Sequence, residues 1–106
     1  MNQGYQGFAN YETWCVKLWL DNEESSYRYW QAAAQECWDE AEADQYFTRE
    51  ERARLDLEDR MKDEIEDAAG QAVEVGTIWA DLLSSAVSEV NWREIAEAYL
   101  DSVERG

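Results

Sequence analysis

No proline interrupts the 106 residues of this chain, and its apolar side chains return at intervals of three and four. Proline removes a main-chain donor and clashes with the preceding helical turn, so its absence leaves every segment free to stay helical. Spacing of three and four lines one face of a helix, whereas a half-buried strand would alternate. The pattern predicts an all-α fold, a compact bundle of about five helices with no sheet. At this length one core is the norm, so residues 1–106 read as a single helical domain.

Polar signals divide the chain. Asn10 offers a short side-chain acceptor for a first helix that runs through Tyr11, Trp14, Cys15 and Leu18 to about Leu20. Val16, Trp19 and Leu20 occupy its other faces, and a helix apolar nearly all round is expected at the centre of a bundle. Residues 1–9, with Gly4 and Gly7, read as a loosely held arm whose Tyr5 and Phe8 cover the core edge. Tyr27, Trp30, Ala34, Cys37, Trp38 and Ala41 make the stripe of a second helix over 24–43. Thr48 followed by Glu51 is a capping box that starts a third helix near Arg49. Its buried side carries Leu55, Met61, Ile65, Ala68 and Ala72, and Gly70 or Gly76 interrupts or ends it. Ile78, Trp79, Leu82, Leu83, Ala86, Val87 and Val90 form a fourth helix. Asn91 with Glu94 repeats the capping-box logic and opens a fifth, with Trp92, Ile95, Ala96, Tyr99, Leu100 and Val103 inward. Trp14, Trp30, Trp38, Trp79 and Trp92 fall on faces expected to be buried. Trp19 sits on a second apolar face, where it packs on another helix or anchors a partner.

The charge is one-sided. Asp and Glu number 25 against 9 Lys and Arg, a formal net charge of -16, yet 13% of the residues are aromatic and 45% hydrophobic. Acidic disordered segments lack the apolar surface that offsets chain entropy, and this chain has it. A folded polyanion holds its carboxylates in fixed positions, repels nucleic acid and anionic membranes, and is drawn to cationic surfaces. At about 100° per residue, Glu36, Asp39, Glu40, Glu42 and Asp44 share the outer face of the second helix, with no Lys or Arg between Arg28 and Arg49. On the third helix Asp56, Asp59, Asp63, Glu66 and Asp67 fall opposite Leu55, Met61 and Ile65, with Arg52 and Arg60 at the border. Glu50 with Arg54, Asp56 with Arg60, and Glu58 with Lys62 read as i,i+4 ion pairs. The fifth helix repeats the pattern with Glu94, Glu97, Asp101 and Glu104. Two adjacent helices so decorated carry roughly one charge per 2–3 Å of axis, against about one phosphate per 1.7 Å of duplex DNA. The expected function is an acidic DNA mimic, with the 36–44 stripe as its focus. Two blander readings stand beside it: solvated faces that keep the protein soluble, and salt adaptation, which predicts evenly spread acid and a fold that loosens at low salt.

The segments NYETWCVKLWLDN at 10–22 and VNWREIAEAYL at 90–100 resemble a family of small proteins carried by phages, plasmids and assorted prokaryotic genomes. Members often have Asn at the position of Cys15, and the family has no established catalytic residues to transfer. The resemblance implies a mobile-element setting, in which small acidic proteins block restriction or CRISPR enzymes by occupying their DNA clefts. The partner it implies is a basic nucleic-acid-binding complex, met in the host cytoplasm.

Little in the sequence points to catalysis. Histidine is absent, which removes the commonest general base and metal ligand. No Cys-x-x-Cys, Gly-rich phosphate loop, nucleophile elbow or calcium loop occurs. Cys15 and Cys37 lie on apolar faces and read as buried thiols, too few for a secreted disulfide scaffold. The N-terminus has neither a basic nor an apolar targeting segment, and no apolar run reaches membrane-spanning length, so the expected location is cytoplasmic. No enzyme activity, metal or cofactor is expected. The alternative to mimicry is a helical adaptor that binds through Trp19, its acid serving solubility alone. Excess aromatic surface leaves room for a homodimer in either case.

Overall fold

Five helices carry the chain in the computed structural model, which describes residues 5–105: α1 (Tyr11–Asn22), α2 (Glu24–Glu40), α3 (Arg49–Ala72), α4 (Ile78–Ser88) and α5 (Trp92–Leu100). No sheet forms among the described residues. The caps are chemical. Asn10 accepts from the Thr13 amide, Thr77 from Ala80 and Asn91 from Glu94, each satisfying a helix donor that has no partner of its own. At α3 the capping box is complete: Thr48 Oγ1 accepts from the Glu51 amide at 3.0 Å, and Glu51 Oε1 accepts from the Thr48 amide at 2.9 Å.

The core lies where α2, α3 and α5 pack together. Trp30, Ala33, Ala34, Cys37 and Trp38 come from α2, Ala53, Leu57 and Met61 from α3, and Trp92, Ile95, Ala96, Tyr99 and Leu100 from α5, with Ala41 and Val90 closing its ends. Small residues at 33, 34, 53 and 96 let the helix axes approach, and the aromatic rings fill the remaining space. The expected central role of α1 is not what the fold shows. It lies across α2 and α5, buries only Thr13 completely, and leaves Leu18 and Trp19 in solvent. Its apolar surround covers too little neighbouring surface to be enclosed.

α2 stops three residues short of the expected boundary, because Ala41 is extended and caps the helix through its own amide to Cys37 and Trp38. Acid at a helix C-terminus opposes the macrodipole, and Asp39, Glu40 and Glu42 crowd that end with no base in the last turn. Arg49 repairs the end from the next helix: its Nε and Nη2 donate to the Trp38 carbonyl at 3.1 and 2.8 Å, and its guanidinium lies 4.2 Å from the Trp38 ring centre. Gly70 passes inside α3 without ending it. Gly76 adopts a positive φ of 82° in the turn before α4, a conformation that favours glycine.

The described part of the arm folds back on itself. Tyr5 and Phe8 exchange main-chain hydrogen bonds of 2.7 and 2.9 Å around Gln6 and Gly7, both at positive φ as in a two-residue hairpin turn. Tyr5 stacks on Trp14 with ring centres 4.8 Å apart. Residues 1–4 lie outside the described residues.

The far end of the molecule departs most from expectation. Ala68, Ala72, Ile78, Trp79 and Leu82, all placed inside by periodicity, are exposed. α4 contacts α3 over a short stretch and contributes no fully buried residue.

Candidate acidic interface

α2 and α3 pack side by side, and Arg60 of α3 reaches Glu36 of α2, so the two acidic stripes border one another there. All ten carboxylates expected to form the interface are exposed: Glu36, Asp39, Glu40, Glu42, Asp44, Asp56, Asp59, Asp63, Glu66 and Asp67. They do not form a uniform sheet of charge. Glu42 and Asp44 fall beyond the end of α2, in the connection to α3. There Asp44 is structural: its Oδ1 accepts from the Tyr46 and Phe47 amides at 2.8 Å each, and these bonds hold its carboxyl below the usual carboxylate range.

The 36–44 stripe is also not free of counter-charge, as the local sequence had implied. Arg60 reaches across from α3 and donates from Nη1 to Glu36 Oε1 at 2.7 Å, while Arg52 stands 3.6 Å from Asp44. Arg60 also donates to Glu64 at 3.2 Å, and Glu64 accepts from the Tyr29 hydroxyl at 2.7 Å. This clamp joins α2 to α3. Its bonds to Tyr29 and Glu36 raise the proton affinity of a guanidinium already always charged.

Arg60's choice of partner leaves Asp56 unpaired on α3. None of the three expected ion pairs on that helix forms. Glu50 meets Arg105 instead, Arg54 turns toward Glu58 and Glu97, and Arg60 serves Glu36 and Glu64. Asp56, Asp59, Asp63 and Glu66 have neither an ion pair nor a hydrogen bond among the described residues, and the same holds for Glu40 and Glu42 of the first stripe. With Asp67, whose carboxylate accepts from Gln71 at 3.1 Å, the four α3 acids form a ridge along a continuous helix. Five carboxylates over about 16 Å of axis is roughly one per 4 Å, near the ~3.4 Å per phosphate along one DNA strand. On α2, Asp39 accepts only from Gln35 at 3.0 Å, and Glu40 has no partner among the described residues. It belongs to the same field, since Asp56, Glu36 and Glu40 all bear on Cys37, whose thiol is pushed up by burial first and by these anions after it, against the pull of Arg60.

The first half of the third stripe is committed to the fold. Glu94 was expected to reach back to the Asn91 amide, but its Oε1 accepts from Ala9 at 2.8 Å, tying the arm to α5. The Asn91 amide donates instead to Thr13 Oγ1 at 2.8 Å. Glu97 pairs with Arg93 at 3.0 Å, and Asp101 and Glu104 lie past the end of α5.

Glu64 and Tyr29 were missed by the sequence reading. An arginine four residues before Glu64 was the available signal, but Asp56 had been given that arginine. Trp19, the expected apolar anchor, is 70% exposed and lies on α1, away from the α3 ridge in the chain order of packing. The Asn10 to Thr13 motif is absorbed by structure: Asn10 Oδ1 accepts from the Thr13 amide and hydroxyl at 2.9 and 2.6 Å, and Asn10 Nδ2 donates to the Glu89 carbonyl at 2.7 Å. No group of three or more metal-ligating side chains converges among the described residues, and no helix is long and apolar enough to cross a membrane.

The sequence profile of a family described as "Family of unknown function (DUF7249)" matches residues 1–104. No curated protein and no solved structure was found to match the chain.

Proposed function

We propose that this chain, which belongs to that family of unknown function, is an acidic inhibitor that mimics the DNA backbone and occupies the basic nucleic-acid-binding surface of a host defence complex, a CRISPR effector or a restriction enzyme. The observation that carries the reading is the unpaired ridge of Asp56, Asp59, Asp63 and Glu66 on α3, flanked by Asp67 and by Glu40 of α2. The pairs that α3 makes along itself, Arg54 with Glu58 and Arg60 with Glu64, leave these ridge acids out. Here the arginines face inward or sideways and the carboxylates face solvent. Fixed carboxylates at near-phosphate density suit the Arg and Lys groups that grip a nucleic-acid backbone. No chemical step is required of such an inhibitor.

The reading moves the focus from the 36–44 stripe to 56–67. A pull-down from cells bearing restriction or CRISPR systems tests it, with duplex DNA as competitor. The expected result is recovery of a DNA-binding complex that DNA displaces and that Asp56→Asn, Asp59→Asn, Asp63→Asn, Glu66→Gln protein fails to recover. A partner that ignores both DNA and these changes refutes mimicry. The adaptor reading is favoured by one observation, the exposure of Trp19 beside Leu18 on α1. It requires that Trp19→Ala, rather than loss of acid, abolish capture.

A further inference from the structure

We infer that the cleft between α3 and α4 is a docking groove for a cationic amphipathic helix of a partner protein. The inference goes beyond mimicry, which requires no apolar contact. Ala69 and Val73 near the end of α3 and Leu83 and Val87 of α4 line an open cleft of about 470 Å³, within the span of roughly 300–1,000 Å³ in which proteins hold ligands. All four are only half-buried. Gly70 widens the α3 wall. Glycine weakens a helix interior relative to alanine, a cost offset where the chain turns at positive φ or where something approaches the backbone closely. Gly70 lies inside α3, is not at positive φ, and a Cβ built there would meet nothing within 4 Å, so neither a turn nor this chain's own packing calls for it. The close approach it permits is open to a ligand.

Charge selects the occupant. Two ionisable side chains line the cleft, Glu66 on the α3 wall and Asp81 on the α4 wall, and no Lys or Arg joins them. Both are exposed, and neither carboxylate has an ion pair or a hydrogen bond among the described residues. Asp63 and Asp67 stand on either side of Glu66 along α3. A wholly apolar ligand would leave these carboxylates unmatched, and a second copy of this chain would bring more acid against them. An apolar stripe bordered by Lys or Arg matches both walls at once, its apolar side chains in the cleft and its cations on Glu66 and Asp81.

Main-chain chemistry selects the form of that partner. Both walls are helices whose amides and carbonyls are spent on their own turns, so an extended segment finds no ladder to join there. A helix satisfies its own main chain and lays one apolar edge into a groove. With side chains a helix is about 10–12 Å across, so a cleft of this volume admits the apolar edge of a turn or two and leaves the polar face of the helix in solvent.

Fluorescence anisotropy of a labelled helical peptide of Leu, Ala and Lys, titrated with the full chain, tests the inference. In one peptide the leucines recur at three and four and share a face; in the other the same residues are shuffled so that they do not. The patterned peptide is expected to bind tighter than the shuffled one by about tenfold or more, the worth of one well-buried leucine. Gly70→Leu, which fills the cleft on a backbone that accepts a side chain, is expected to bring the patterned peptide down to the level of the shuffled one. Asp81→Asn is expected to weaken it more than Asp59→Asn, a change farther along α3 and outside the cleft. Amide chemical shifts of the parent protein add a readout free of substitution, with the patterned peptide moving Ala69, Gly70, Leu83 and Val87 most. Equal binding of the two peptides shows attraction by charge alone and overturns the inference. Parent-like binding by Gly70→Leu protein of unchanged circular dichroism overturns it, as do shifts centred on Trp19 or Trp79. Gly70→Leu and Asp81→Asn touch none of the ridge acids, so the failure of this reading is distinguishable from the failure of mimicry.

Discussion

Replacing Thr13 by Val keeps the shape of a completely buried side chain and deletes one hydroxyl. That hydroxyl donates to Asn10 Oδ1 at 2.6 Å and accepts from the Asn91 amide at 2.8 Å, joining the start of α1 to the α4–α5 turn. In the variant the Asn91 amide has no acceptor, and stranding a buried donor costs about 1–3 kcal/mol. Asn10 Oδ1 keeps the Thr13 amide, and the extra methyl returns at most about 0.8 kcal/mol of burial, so the net loss is about 1–2 kcal/mol. Against a total of ~5–15 kcal/mol for a domain of this size this is large. With a urea m-value of about 1–2 kcal/mol/M, the midpoint falls by roughly 1 M at constant m. Thr13→Ser keeps both hydrogen bonds and loses one methyl, about 1 kcal/mol or less, and is expected to be the milder change. Equilibrium urea unfolding followed by tryptophan fluorescence decides. A valine variant as stable as the parent, or a serine variant worse than valine, refutes the claim that the Asn10–Thr13 motif is there to fasten α1 to α5.

Three further outcomes follow from the geometry. Arg49→Met removes the fork on the Trp38 carbonyl and is expected to destabilise by about 1–2 kcal/mol in the same assay, with Arg49→Lys recovering only part because an ammonium cannot fork. Tyr99 is buried and donates to Asp21 at 2.8 Å, so burial first and that carboxylate second raise its phenol above the ordinary value of 10.0. The folded state therefore retains a proton that the unfolded state loses above about pH 10: stability is fully present below that pH and falls as pH rises beyond it, whereas Tyr99→Phe loses this term and gives a flatter alkaline profile in thermal melts. Arg60→Gln releases Glu36 and Glu64 from their shared cation, and since the pair is partly solvent-screened the stability change stays within about 1 kcal/mol while affinity for a basic target rises; unchanged or weaker binding counts against a charge-driven interface.

What could be read from the chain follows from the range of each interaction. Caps act within four residues, and Asn10, Thr48 and Asn91 marked three helix starts correctly. The apolar arcs of α2 and α5 identified Trp30, Cys37, Ile95 and Tyr99 as core because polar residues confine the apolar ones to one side of each helix. Periodicity failed at α4, where residues are apolar on two sides and only the tertiary fold decides which side is covered. It failed for α1 for the same reason. Electrostatics was the least legible. Arg60 has acids at both i-4 and i+4 as well as one on α2, and sequence alone could not show that Glu36 and Glu64 would win over Asp56. That single choice gave Glu36 a cation and left Asp56 without one. The Glu94 side chain behaves likewise: a capping box is a local expectation, and the Ala9 amide, 85 positions away, took the carboxylate.

The central claim is that unpaired carboxylates on α3 substitute for phosphates, and the salt dependence of affinity for the recovered target measures it most directly. For the parent protein, log K is expected to fall steeply and linearly with log salt. For Asp56→Asn, Asp59→Asn, Asp63→Asn, Glu66→Gln protein of unchanged circular dichroism, the slope should shrink with the affinity. Equal slopes for the parent and the ridge variant contradict the account.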